Sequence, residues 1–129
     1  MVLLTFDDQI NEHNIAYYDA LFAKKRINPN GCPIEGTFFV SNNATDYNIV
    51  ANLWKRGHEI ADHTVSHRFP LKWWGEADYT GWEAEIRGQQ SNLVERAGIP
   101  KNEIKGFRAP FLQVTTDEIK KIHVPLLIY

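Results

Sequence analysis

The strongest constraint on this fold is an alternation between short β-branched or aromatic runs and longer segments whose apolar residues recur at helical spacing. Val2–Phe6, Thr37–Val40, His58–Asp62, Ile104–Phe107 and Leu126–Tyr129 read as strands. Between them, residues 14–25 carry Ile15, Tyr18, Leu21 and Phe22 on one side of a helix. Residues 46–56 carry Ile49, Val50, Leu53 and Trp54, and residues 82–97 carry Ile86, Leu93 and Val94, with Gly57 and Gly98 as stops. Thr115 or Thr116 can cap a last helix through Lys121. Thr37-Phe38-Phe39-Val40 has no polar alternation, which predicts a strand buried on both faces. The order β-α-β-α-β-α-β-α-β predicts an α/β fold of parallel strands joined by helical crossovers. One long irregular stretch, Arg68 to Thr80, holds Phe69, Trp73, Trp74 and Tyr79.

With 129 residues and no internal repeat, low-complexity tract or linker, the chain reads as one domain spanning residues 1–129. A formal charge of -2 leaves no basic footprint for nucleic acid, and the longest basic run, Lys24-Lys25-Arg26, reads as the polar end of a helix. No apolar run approaches the roughly 20 residues that span a bilayer. No secretory signal is visible, because Met1 leads straight into strand-like sequence. Cys32 is the single cysteine, in the turn-like Asn28-Pro29-Asn30-Gly31-Cys32-Pro33. It fits a free thiol in a reduced compartment or a secreted domain whose partner cysteine lies elsewhere.

In parallel sheets and barrels, functional groups collect where strands end and the next loops begin. Asp7-Asp8, the pair His63 and His67, and Arg108 each follow a strand candidate, so the topology brings them to one face. The two histidines stand at i and i+4, beside Thr64 and Ser66 as hydroxyl partners. With a carboxylate they make a two-His, one-carboxylate metal set with open positions, which points to metal-assisted hydrolysis. Adjacent carboxylates at a strand end point in different directions, so one can bind metal while the other serves as a base. Each group also has a plain structural reading: Asp7-Asp8 as a turn or capping pair, the histidines as packing residues, Arg108 as a loop arginine. A forked guanidinium can hold a carboxylate in one orientation. Pro110 stiffens the loop after it, where the Phe111 N–H can donate to an oxyanion.

Together, Thr5-Phe6-Asp7-Asp8, His63-Thr64-Val65-Ser66-His67 and Arg108-Ala109-Pro110-Phe111 resemble the first three motifs of the polysaccharide deacetylases, carbohydrate esterase family 4, in order. Asn28-Pro29-Asn30-Gly31-Cys32-Pro33 and Gly57-His58-Glu59 look like the chitin deacetylases of arthropods. The resemblance covers about residues 1 to 114. It implies a parallel-stranded (β/α) barrel of the deacetylase type, incomplete at about five strands, acting outside the cell on the acetamido groups of chitin or N-acetylglucosamine oligomers. It implies Asp7 as general base and Asp8, His63 and His67 as ligands of a divalent metal, usually zinc. Arg108 would orient Asp7, and the Phe111 N–H would bind the tetrahedral intermediate, at a position where the family often has Tyr. Pro110, Trp73 and Trp74 are the candidate substrate contacts.

Two further family motifs, the last a Leu-x-His that supplies the general acid, have no match after Phe111. His123 stands too early and in another context, and Thr115 to Tyr129 leaves the family pattern, as a truncated or alternatively spliced product would. A non-catalytic chitin-binding protein that keeps Trp73, Trp74 and Tyr79 for sugar stacking is the alternative. A different metal hydrolase is a third reading, and the lack of a Gly-rich phosphate cradle disfavours a phosphoesterase. The metal's identity and the oligomeric state stay open at this stage.

Overall fold

The computed structural model describes residues 2–23 and 26–113, together with the backbone of residues 127 and 128. Five strands form one sheet in sequence order: β1 (Thr5–Asp8), β2 (Thr37–Val40), β3 (Glu59–Asp62), β4 (Gly106–Phe107) and β5 (Leu127–Ile128). All neighbouring pairs are parallel. The crossovers carry α1 (Ile15–Phe22), α2 (Tyr47–Lys55), α3 (Lys72–Glu76) and α4 (Tyr79–Ala97). Single 3-10 turns lie at Lys101–Glu103 and Pro110–Leu112. The expected helix after Thr115 lies outside the described residues.

The register decides where the chemistry collects. Asp8, Val40, Asp62 and Phe107 are partners across four strands. The ladder then runs one residue further on each strand: Ser41 N–H donates to Asp8 O at 3.3 Å, His63 N–H to Val40 O at 3.1 Å and Arg108 N–H to Asp62 O at 3.1 Å. The strand ends are thus stitched at one level, and Asp8, His63 and Arg108 emerge beside each other.

Two apolar clusters hold the crossovers on the sheet. Phe38, Val40 and Ile60 pack with Val50 and Leu53 of α2, Leu93 and Ala97 of α4, and Ile99 and Ile104. The second cluster packs Trp74, Trp82, Ile86, Phe107 and Ala109, with ring centroids 5.1 Å apart for Trp74 and Trp82. It pins α3 and the first half of α4 to β4. Phe38, Phe39 and Val40 are almost fully buried, as their unbroken apolar run predicts.

Several boundaries differ from the sequence expectation. β1 begins at Thr5, not Val2, because its partner strand starts at Thr37; Val2 and Leu3 remain exposed. The carboxylates therefore belong to the strand itself. The irregular stretch contains the five-residue α3, formed because Trp74 anchors it in the core. α4 starts at Tyr79 rather than Trp82, since Asp78 accepts the Gly81 N–H at 2.8 Å and caps it. At the other end Gly98, at φ 70, takes the left-handed turn that stops the helix.

Leu53 has no solvent exposure. Leu53→Ala is expected to lower the unfolding free energy by about 2–5 kcal/mol in chemical denaturation. His58 is nearly buried and accepts the Gly36 N–H at Nδ1, 3.2 Å away. Burial, and then Arg56, push its imidazole below the usual range. The unfolded chain takes up the proton more readily, so this contribution is complete above about pH 6.5 and is lost as pH falls below it. Tm should therefore drop as pH falls below about 6.5, and His58→Asn should make the drop shallower. An unchanged slope would contradict this role for His58.

Candidate metal centre

Asp8 ends β1 and His63 directly follows β3, with β2 between them in the sheet, and His67 lies four residues beyond His63 in the same loop. Their ligand atoms all lie within 4.8 Å of one another. Asp8 Oδ1 stands 3.6 Å from His63 Nε2 and 3.5 Å from His67 Nε2. Two ligands at roughly 2.1 Å from one tetrahedral ion would be about 3.4 Å apart, so this spacing fits a single ion. His63 Nδ1–H donates to the Arg108 carbonyl at 2.7 Å, which leaves Nε2 as the lone pair turned toward Asp8. Burial pushes the His63 imidazole below its usual range, opposed by that carbonyl bond, so the neutral, metal-binding form is favoured. A carboxylate oxygen facing a neutral ring nitrogen at this distance is a pair of acceptors, and a cation between them removes the conflict. The donor set fits zinc and its neighbours.

Asp7 points elsewhere. Its Oδ1 accepts Arg108 Nη1 at 2.6 Å, and the same Nη1 reaches Thr5 Oγ1 at 3.3 Å. The guanidinium lies over the Phe39 ring, 4.0 Å from its centroid. Arg108 thus holds the free carboxylate with its side chain and the first histidine with its carbonyl. Pro110 is buried at the start of the next turn. Phe111 follows at φ 55, its ring 4.7 Å from that of His67, and among the described residues its N–H makes no hydrogen bond.

Asp8 (φ 82), Thr64 (φ 71), His67 (φ 41) and Phe111 (φ 55) all adopt the left-handed backbone region. Such residues cost on the order of 1–3 kcal/mol each and collect where geometry serves function. The neighbouring Asp62 is fully buried; burial raises its carboxyl well above the usual range, while the Thr64 N–H it accepts at 2.8 Å opposes this. Asp62 lies outside the ligand set.

The aromatic candidates separate. Trp74 is fully buried, with its indole N–H donating to Arg68 O at 2.8 Å, so it is a core residue and cannot stack on a sugar. Trp73 is half-buried, packed edge-on against Trp74 and covered by the Arg68 guanidinium at 4.4 Å. Phe69 is the exposed ring beside the site, 5.1 Å from Phe111. Of the two hydroxyls expected to support the histidines, Thr64 Oγ1 is buried without a partner among the described residues. Ser66 bonds instead to Glu85 of α4, a residue the sequence reading passed over. Its signal was a carboxylate on the apolar stripe of Trp82, Ile86 and Leu93, where burial demands a partner. His123 lies outside the described residues, and Cys32 is an exposed free thiol.

The polysaccharide deacetylase family profile matches residues 1–123. The chain belongs to the polysaccharide deacetylase family. It is 40% identical over 114 residues to chitin deacetylase 1 of Bombyx mori and 44% identical over 115 residues to chitin deacetylase 8 of the same organism. Those matches take in 88% of this chain but only 21% and 30% of the two relatives. Among solved structures, a peptidoglycan N-acetylglucosamine deacetylase, Bc1960, superposes with a TM-score of 0.76 at 23% identity, over 98% of this chain and 54% of that one. A family 4 acetyl xylan esterase from Clostridium thermocellum, solved with a cobalt ion, gives 0.75 at 22%, over 98% and 55%. These deacetylase-type neighbours share the fold, and this chain spans about half of theirs: five parallel strands of an incomplete (β/α) barrel.

If these three residues hold one ion, Asp8→Ala or His67→Ala should weaken zinc binding by more than the roughly 10–100-fold that follows loss of an outer partner. Chelator competition would read this directly. Zinc affinity within twofold of the parent would remove that residue from the ligand set.

Proposed function

We propose that this chain carries the metal-binding and base-bearing part of a deacetylase acting on N-acetylglucosamine units of chitin. The observation that carries the reading is the division of labour between two adjacent carboxylates: Asp8 faces two histidines, and Asp7 faces Arg108. Family membership and the 40–44% identity to chitin deacetylases support it. The cobalt ion in the acetyl xylan esterase supports a divalent metal, for which zinc is our choice.

Asp8, His63 and His67 would hold the ion, which supplies Lewis acidity toward the acetamide carbonyl and a water of lowered pKa. Asp7, fixed at Oδ1 by Arg108, keeps its second oxygen without a hydrogen bond among the described residues and takes the water's proton there. The Phe111 N–H, presented by a residue in the left-handed region, donates to the developing oxyanion. Pro110 fixes the start of that turn, and the amide bond then breaks to acetate and a free amine. The sequence after Phe111 holds no Leu-x-His to protonate that amine. We therefore expect this chain to turn over about 10²–10⁴-fold more slowly than an enzyme with a positioned acid. An extracellular setting, where chitin lies, goes with this reading.

A second reading, a chitin-binding protein without catalysis, is favoured by one feature: the exposed Phe69 ring beside Phe111 makes an apolar platform suited to a sugar face. The two readings separate by experiment. Acetate release from N-acetylglucosamine oligomers should require added zinc and fall by about 10²–10⁴-fold in Asp7→Asn. Retention on chitin that survives chelation, with no acetate released by the parent, would replace the first reading with the second.

A further inference from the structure

We infer that the inner face of α4, through Glu85 and Gly88, positions the second metal histidine; this rests on the metal-centre reading above. His63 is held by the sheet, its N–H on Val40 O and its Nδ1 on Arg108 O. Among the described residues, His67 has no such support. It sits in the left-handed region at φ 41, three residues after Thr64 at φ 71. The segment between them is fastened instead to α4.

Glu85 makes the fastening. Its carboxylate, nearly buried, accepts the Ser66 N–H at Oε2 (2.8 Å), and at Oε1 the Ser66 Oγ–H (2.6 Å) and Arg68 Nη2 (2.8 Å). Arg68 Nε also donates to Ser66 Oγ at 2.9 Å. The residues on both sides of His67 are therefore tied to one carboxylate. A buried carboxylate needs donors in place of water, and here they come from the loop itself.

Gly88 is the second, independent feature. One helical turn beyond Glu85, it lets α4 approach the loop so closely that a Cβ there would lie 2.8 Å from Val65 Cγ2. A β-branched side chain has little freedom to move aside. Glu85 draws the loop in and Gly88 sets how near it comes, on the same face of one helix. Together they fix the backbone that turns the His67 ring toward Asp8. Neither residue touches the ligand atoms, so both act as positioning residues.

The test is zinc affinity by chelator competition, with the visible absorption of the cobalt-loaded protein as a readout of ligand geometry. Glu85→Gln keeps the shape of the side chain and removes its charge. Gly88→Ala leaves all charges in place and favours the helix. Each should raise the zinc Kd by about 10–100-fold and change the cobalt spectrum. Arg87→Ala, which breaks only the exposed pair with Glu83, should change neither. If both variants bind zinc within twofold of the parent with an unaltered cobalt spectrum, whatever their Tm, the inference fails and the metal-centre reading stands. If the parent itself binds no zinc, both fall.

Discussion

Arg108 is the residue on which the rest of the site depends. Its N–H continues the β3–β4 ladder onto Asp62 O, its carbonyl fixes the His63 tautomer, and its guanidinium holds Asp7 while lying on Phe39. One residue thus joins strands β1, β2, β3 and β4 at the level where they end. The sheet's parallel register makes this possible, because stitching the strand ends at one height brings residues from positions 7 and 108 within hydrogen-bond reach. An arginine suits the place, because its planar guanidinium bonds a carboxylate while one face rests on an aromatic ring.

Much of this was legible in the sequence, for physical reasons that can be named. Thr37–Val40 is recognisable because a strand covered on both faces must be apolar throughout. Asp7-Asp8, His63, His67 and Arg108 could be placed together because parallel topology sends successive strand ends to one side. What was hidden depended on tertiary contacts. Nothing in the spacing of Trp73 and Trp74 says which indole goes into the core; the packing of Trp74 on Trp82 decides it. The start of β1 was misread because Val2 and Leu3 are apolar enough for a strand, yet have no partner opposite them. Glu85 was readable in principle as a charge on a buried stripe, but its partners Ser66 and Arg68 lie 19 and 17 residues away.

Membership of the polysaccharide deacetylase family rests on the family profile and on the relatives, and the solved neighbours extend it to the fold. The profile match, residues 1–123, holds the three sequence motifs and strands β1 to β4, while β5 lies beyond it. Within that portion the site divides in two. The candidate ligands Asp8 and His63 and the Asp7 carboxylate sit at strand ends, and the loop that carries His67 is fastened to α4 through Ser66 and Glu85. The face beside it is more open, with Phe69 and Leu112 strongly exposed and Phe111 partly so.

The central claim is that Asp8, His63 and His67 gather around one divalent ion. X-ray absorption at the zinc edge of the zinc-loaded protein tests it most directly. The account predicts one zinc per chain, two imidazole nitrogens at about 2.0–2.1 Å and carboxylate or water oxygen completing the shell, with no sulfur. The imidazole signal should fall by one ring in His67→Ala. A sulfur at about 2.3 Å, which only Cys32 or Met1 could supply, or an unchanged spectrum in that variant, would contradict it.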